Sequence, residues 1–89
     1  MSLPALLHPL VHLGHGHTVA AACVVAIIDP DSAPVKRLIS EAQAAGTLVD
    51  ATAGRKARAV VITDGAGVHL AAVQPETLAQ RYVRREMVE

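Results

Sequence analysis

Asp50-Ala-Thr-Ala-Gly-Arg-Lys-Ala-Arg-Ala-Val-Val-Ile-Thr-Asp-Gly-Ala-Gly-Val-His-Leu-Ala-Ala-Val73 is the stretch on which the reading of this chain turns. Residues 59–63 and 68–73 are apolar and rich in β-branched side chains, and the intervening Asp64-Gly-Ala-Gly67 carries turn chemistry, so the two runs form a hairpin. A short strand over residues 47–51 precedes them. Between that strand and the hairpin, Arg55, Lys56 and Arg58 place three cations within four positions directly after Gly54. Cations held on a stiff turn can each neutralise a backbone phosphate and release its counterion, which gives nucleic-acid affinity without reading any base. A short charge run is also what an ordinary solvated loop looks like. The whole chain supplies no basic excess to decide between them, with eight Lys and Arg against eight Asp and Glu.

Toward the N-terminus, residues 3–13 are apolar but interrupted by Pro4 and Pro9, and Gly14-His15-Gly16-His17 follows, which reads as a strand entering a tight turn. Residues 19–28 are almost uninterruptedly apolar and β-branched toward their end. That pattern predicts one strand buried on both faces, within the sheet or at a subunit contact. Asp29-Pro30-Asp31-Ser32 stops it. Ser32 suits an N-cap, Pro34 the first turn of a helix, and Val35, Leu38, Ile39 and Ala42 recur at helical spacing until Gly46. Lys36, Arg37, Glu41 and Gln43 fall off that apolar stripe. Pro75 and Glu76 open a second helix with Leu78, Tyr82, Val83 and Met87 as its apolar side, and Arg81, Arg84 and Arg85 gathered on another.

With 89 residues and 52% apolar content, the chain is expected to be one domain over residues 1–89, burying about 60–65% of its unfolded surface. It has no Phe and no Trp, and Tyr82 is its one aromatic residue. Packing must then rest on Ala, Val, Leu and Ile, and oligomerisation is the natural supplement to so thin a core. Cys23 is single and lies in an apolar run, where it fits as a small hydrophobe in a reducing cytoplasm. No apolar run approaches the ~20 residues of a membrane span, and no cationic segment precedes an apolar one at the start. The expectation is a soluble, unexported α+β protein: a small mixed or antiparallel sheet of four to five short strands with two helices.

Three segments together carry a family resemblance: Asp29-Pro-Asp-Ser-Ala-Pro-Val-Lys-Arg37, Asp50-Ala-Thr-Ala-Gly-Arg-Lys-Ala-Arg-Ala-Val-Val-Ile62 and Ala72-Val-Gln-Pro-Glu-Thr-Leu78. In this order and spacing, over residues 12–82, they resemble the RemA-type family of bacterial extracellular-matrix regulators. The resemblance implies a small transcriptional regulator of matrix or biofilm type that binds double-stranded DNA and assembles into ring-shaped homo-oligomers, with basic residues around the outside. Arg55 and Lys56 occupy the family's paired basic position, usually two arginines, and Pro34 stands at a family proline linked to function. Two positions depart from the pattern. Cys23 stands where the family commonly has an arginine associated with DNA binding, and Ala53 where an aromatic residue is usual. Losing a guanidinium deletes a bidentate phosphate partner, and Lys56 in place of arginine keeps charge without the planar fork.

Other chemistries find less support. His8, His12, His15 and His17 fall within ten residues, but His8 and His12 share a face only on a helix, which the flanking prolines and glycines disfavour, and no established metal-ligand spacing is met. No metal and no cofactor is therefore expected. Asp29, Asp31 and Asp64 sit at turns, roles that need no chemistry, and Ser32 with His69 lacks an orienting third group. No glycine-rich phosphate cradle or nucleotide fingerprint occurs, so neither an enzyme nor a small-molecule substrate is expected. Two functional classes remain: a DNA-binding regulator with Arg55, Lys56 and Arg58 as its contacts, or a structural ring-forming module that has lost DNA binding.

Overall fold

The computed structural model describes residues 10–84, which form six strands and two α-helices. Strands β1 (Leu10–Gly14) and β2 (His17–Ala20) make a two-stranded antiparallel hairpin. Strands β3 (Val24–Ile28), β4 (Leu48–Ala51), β5 (Ala59–Thr63) and β6 (Val68–Ala71) make a mixed sheet in the order β3-β5-β6-β4, in which only the β4–β6 pair is parallel. Helix α1 (Ala33–Ala45) connects β3 to β4, and α2 (Pro75–Arg84) follows β6. The α+β class and both helices agree with the sequence. The strands, however, number six and divide between two sheets.

Residues 19–28 are not one strand. The chain leaves β2 at Ala20, makes a 3-10 turn over Ala21–Cys23 and re-enters a different sheet as β3. Nor is β3 buried on both faces: it is an edge strand, and Val25, at an irregularity in its register with β5, is 66% exposed. An apolar run of this kind cannot by itself distinguish one long strand from two short ones joined by a corner. The strand expected over residues 3–13 is observed only from Leu10, and its first part, like His8, Arg85 and Met87, lies outside the described residues.

The sheet has two packed faces because alternate side chains point to opposite sides. On one face Val60, Val68, Ile62 and Leu70 meet Val35, Ile39 and Ala42 of α1. On the other, Val61, Ala59, Ala51 and Ala71 meet Val11, Leu13 and Val19 of the hairpin together with Leu78 of α2. Among the described residues, Leu13 and Leu78 are the largest side chains wholly removed from water, each stabilising the fold by about 1.5–3 kcal/mol relative to exposure.

Local chemistry fixes where the helices begin and end. The Ser32 hydroxyl accepts from Val35 N–H at 3.3 Å, and Pro34 occupies the first turn, where its missing N–H costs nothing. Gly46 closes α1 at φ 78°, and the amides of Gly46 and Thr47 return to the carbonyls of Gln43 and Ala42. Lys36, Arg37, Glu41 and Gln43 are exposed, as their spacing requires. In α2, Leu78 and Tyr82 face the core, but Val83 is 59% exposed. It lies five residues after Leu78, about 140° around the helix from it. Arg81 does not join a free cationic face: its Nη1 donates to the His12 carbonyl of β1 at 2.7 Å.

The β5–β6 turn, a 3-10 turn over Asp64–Ala66 with Gly65 at φ 76°, is closed by Thr63, whose N–H and hydroxyl both donate to the Gly67 carbonyl, at 2.9 and 3.2 Å. A Cβ at Gly67 would stand 2.5 Å from Thr63 Oγ1 and 3.2 Å from His69 Nε2. Thr63 would have to rotate and release that bond. Gly67→Ala is therefore expected to lower stability by about 1–2 kcal/mol in urea unfolding, and Thr63→Ser, which can turn its hydroxyl aside, to recover part of the loss in the double variant.

Candidate nucleic-acid interface

The register of the four-stranded sheet brings distant parts of the chain to one end. Ala51 pairs with Ala71, Ala71 pairs with Ala59, and β3 reaches the same end at Ile28, opposite Val60. Every segment that carried the family resemblance begins or ends there: residues 29–37 leave β3, residues 52–58 link β4 to β5, and residues 72–78 leave β6. Arg55, Lys56, Arg58 and Pro34 are thus at the same end of the sheet and all are exposed. Cys23 is not with them. It precedes β3 at the opposite end, half-buried beside Asp64, whose negative charge pushes the thiol pKa up.

The 52–58 segment must cross β6 to join β4 to β5, two strand spacings or about 10 Å. It does so by a tight turn followed by an extended arm. The Arg55 amide donates to the Thr52 carbonyl at 3.0 Å around Ala53 and Gly54, whose φ angles are 53° and 83°. Positive φ at both central positions is the type I′ arrangement, costly for any side chain with a Cβ, so Ala53 adopts a conformation better suited to glycine or asparagine. The arm ends where the Arg58 amide donates to the Ala71 carbonyl at 2.7 Å. Both ends of the basic segment are therefore fixed to the sheet by backbone hydrogen bonds, while among the described residues the side chains of Arg55, Lys56 and Arg58 have no hydrogen-bond or ion-pair partner.

Asp50 anchors the root of this turn. Its Oδ1 accepts from the Thr52 N–H at 2.9 Å and from the Thr52 hydroxyl at 2.6 Å. Thr52 is only 3% exposed, the one buried polar residue among those described, so its hydroxyl depends on this partner. The same two bonds hold the Asp50 carboxyl below its ordinary pKa, with a smaller contribution from His17. His69 on β6 is shifted down as well, first by burial and then by the proximity of His17. Spacing alone leaves the histidines of residues 8–17 unrelated to the basic turn. Nothing in it reveals that the β1–β2 tip folds back toward that turn: a Cβ at Gly14 would stand 3.2 Å from Val73 Cγ2, just past the end of β6. Among the described residues no group of three or more His, Cys, Asp or Glu is placed to hold a metal ion, and no helix is long and apolar enough to cross a membrane.

Comparison with known proteins places the same residues in a family. Residues 10–82 match the family described as extracellular matrix regulatory protein A-like, or RemA-like. A relative from Symbiobacterium thermophilum is 58% identical over 77 residues, covering 86% of this chain and 81% of its own length. Relatives from Gloeothece citriformis and Desulforamulus reducens are each 51% identical over 80 residues, covering 90% of this chain and 91% and 89% of their own lengths. All three carry the provisional name of regulatory proteins.

The Asp50–Thr52 pair gives an asymmetric expectation. Asp50→Ala leaves a buried hydroxyl and an amide unpaired and should cost about 1–3 kcal/mol, whereas Thr52→Val leaves an exposed carboxylate that water can solvate and should cost less. Chemical denaturation of the two variants checks the order. The lowered pKa of His69 means the neutral form is favoured on folding, so its contribution is fully present above the ordinary value of 6.5 and is lost as pH falls toward the folded value. Asp50 acts in the same direction below its ordinary 3.8. Melting temperature should accordingly begin to fall below about pH 6.5, and His69→Gln should flatten that first decline.

Proposed function

The chain belongs to the RemA-like family, and from that membership we propose that it is a cytoplasmic transcriptional regulator that binds double-stranded DNA as a ring-shaped homo-oligomer. The observation that carries this reading is the convergence, at one end of the sheet, of an anchored turn whose three cations are exposed and, among the described residues, without a hydrogen-bond or ion-pair partner. A preorganised turn loses little conformational freedom when phosphate arrives, so each charge is available at small entropic cost. Arg55 offers a planar fork for two phosphate oxygens, Lys56 and Arg58 further point contacts, and Pro34 stiffens the start of α1 at the same end. These side chains would reach phosphate rather than base edges, so the regulator acts by where and how it coats DNA.

Neutral net charge makes a single copy a weak binder. Linking identical sites in a closed assembly raises apparent affinity without any new type of contact, which is the physical role assigned to the ring. The exposed Val25 on edge strand β3 and the small, aromatic-poor core support a chain that is completed by copies of itself. Matrix or biofilm genes are the regulatory target that the family name suggests. The reading involves no catalytic chemistry, cofactor or small-molecule substrate. Because Cys23 lies at the other end of β3, an arginine introduced there would not add to the basic turn.

Mobility shifts with duplex DNA of arbitrary sequence over a salt series test the proposal. Binding should weaken linearly in log–log terms with salt, and Arg55→Ala should reduce the slope by about 0.9 for each phosphate it no longer neutralises. Folding stability should change by less than about 0.5 kcal/mol, because the side chain is exposed and unpartnered. Light scattering on the same variant must show the parent's assembly state. If the variant binds as the parent does, the basic turn is not the contact; if neither binds at low salt, the ring-forming module without DNA binding is the surviving reading.

A further inference from the structure

A second exposed group stands beside the basic turn. The β1–β2 hairpin ends in Gly14-His15-Gly16-His17, with φ of 53° at His15 and 82° at Gly16, and both histidines are exposed. The tip packs against the segment after β6 through Gly14 and Val73, and two residues before Val73 the Ala71 carbonyl holds the Arg58 amide. His17 is near enough to Asp50, at the root of the turn, and to His69 of β6 to affect the charge state of each. Hairpin tip and basic turn therefore form one end of the molecule.

We propose that this hairpin tip is a proton-dependent extension of the DNA-binding surface: protonated His15 contacts phosphate, and protonated His17 offsets the Asp50 carboxylate at the root of the basic turn. The inference rests on the DNA-binding reading above and adds its regulation. A neutral imidazole releases no counterion, so the tip contributes nothing electrostatic when deprotonated. Asp50, in contrast, stays ionised through the neutral range because Thr52 hydrogen-bonds its charged form, and a fixed carboxylate beside the phosphate-binding region repels phosphate. An imidazolium at His17 converts that repulsion into a local ion pair.

His17 acts on Asp50 of β4 and His69 of β6, and the charged groups placed at this end of the sheet include Arg55, Lys56 and Arg58 on the turn and Asp29 and Asp31 after β3. Bound phosphates favour added positive charge at the tip, so DNA and protons bind with mutual assistance, and complex formation takes up protons. His69 does not share the role, since its burial disfavours the charged form. The role falls to the two exposed imidazoles of the tip, since protonation gives an imidazole the charge that a phosphate contact needs.

Fluorescence anisotropy with a labelled short duplex of arbitrary sequence, near pH 6 and near pH 8 at fixed ionic strength, tests the proposal. The parent should bind about five- to tenfold more tightly at the lower pH at ~0.1 M salt, with a salt slope steeper by about 0.9 for each additional phosphate neutralised. The His15→Asn/His17→Gln double variant should bind as the parent near pH 8 and lack the tighter binding near pH 6. Asparagine is chosen at His15 because it tolerates the left-handed conformation. Asp50→Asn, which retains the acceptor for Thr52, should tighten binding near pH 8 and shrink the difference between the two conditions. Salt-dependent binding with equal affinity at both pH values, or a pH effect that survives in the double variant, overturns this inference and leaves the DNA reading standing. Absence of binding at either pH and low salt overturns both.

Discussion

Burial of β5 on both faces is the constraint from which the rest of the structure follows. Ala59, Val60 and Val61 are withdrawn from water, with Val60 turned to one layer and Ala59 and Val61 to the other. A strand with two apolar faces and two paired edges needs a cover on each side and a partner at each edge. Helix α1 supplies one cover, and the β1–β2 hairpin with α2 supplies the other. Strands β3 and β6 supply the partners. With no Phe or Trp to fill space, these layers can be thin, and the sheet accommodates them with small side chains where approach is closest.

Ala51, Ala71 and Ala59 show this most clearly, because they stand side by side across β4, β6 and β5 in consecutive register and all face the hairpin layer. A row of methyl groups lets Val11, Leu13 and Leu78 sit close to the sheet. It also marks the end at which the chain must pass from β4 to β5 over β6, so the packing requirement and the geometry of the basic segment have a common origin. The segment is held at both ends by the Arg55 and Arg58 amides, and the side chains of Arg55, Lys56 and Arg58 are exposed. The same closeness brings Gly14 against Val73 and so sets the histidine tip beside the turn.

Three exposed cations gather in the turn at this end even though the chain as a whole is neutral. Arg55, Lys56 and Arg58 are exposed around a backbone that hydrogen bonds hold still, and Asp50 is engaged by Thr52. Arg81, whose spacing suggests part of a cationic face, instead donates to the His12 carbonyl and fastens α2 to β1. Cations of similar appearance in the sequence thus divide between fastening the fold and remaining available, and net charge cannot distinguish the two uses.

Much of this was legible in the sequence because it depends on neighbours within a few residues. Ser32 and Gly46 bracketed α1, Asp64 to Gly67 announced the β5–β6 turn, residues 47–51 read as a strand, and Arg55, Lys56 and Arg58 were evident as an exposed cluster. Three motifs also identified the family, since their order and spacing are properties of the chain itself. The corner at Ala21–Cys23, the insertion of β6 between β4 and β5, the exposure of Val83 and the placement of Cys23 away from the turn were not legible. Each depends on which surface another part of the chain occupies. Hydrophobic burial is non-directional, so an apolar run states that it must be covered and leaves its partner undetermined. Only the tertiary structure settled that residues 14–17 and 50–58, far apart in sequence, would meet at one end of the sheet.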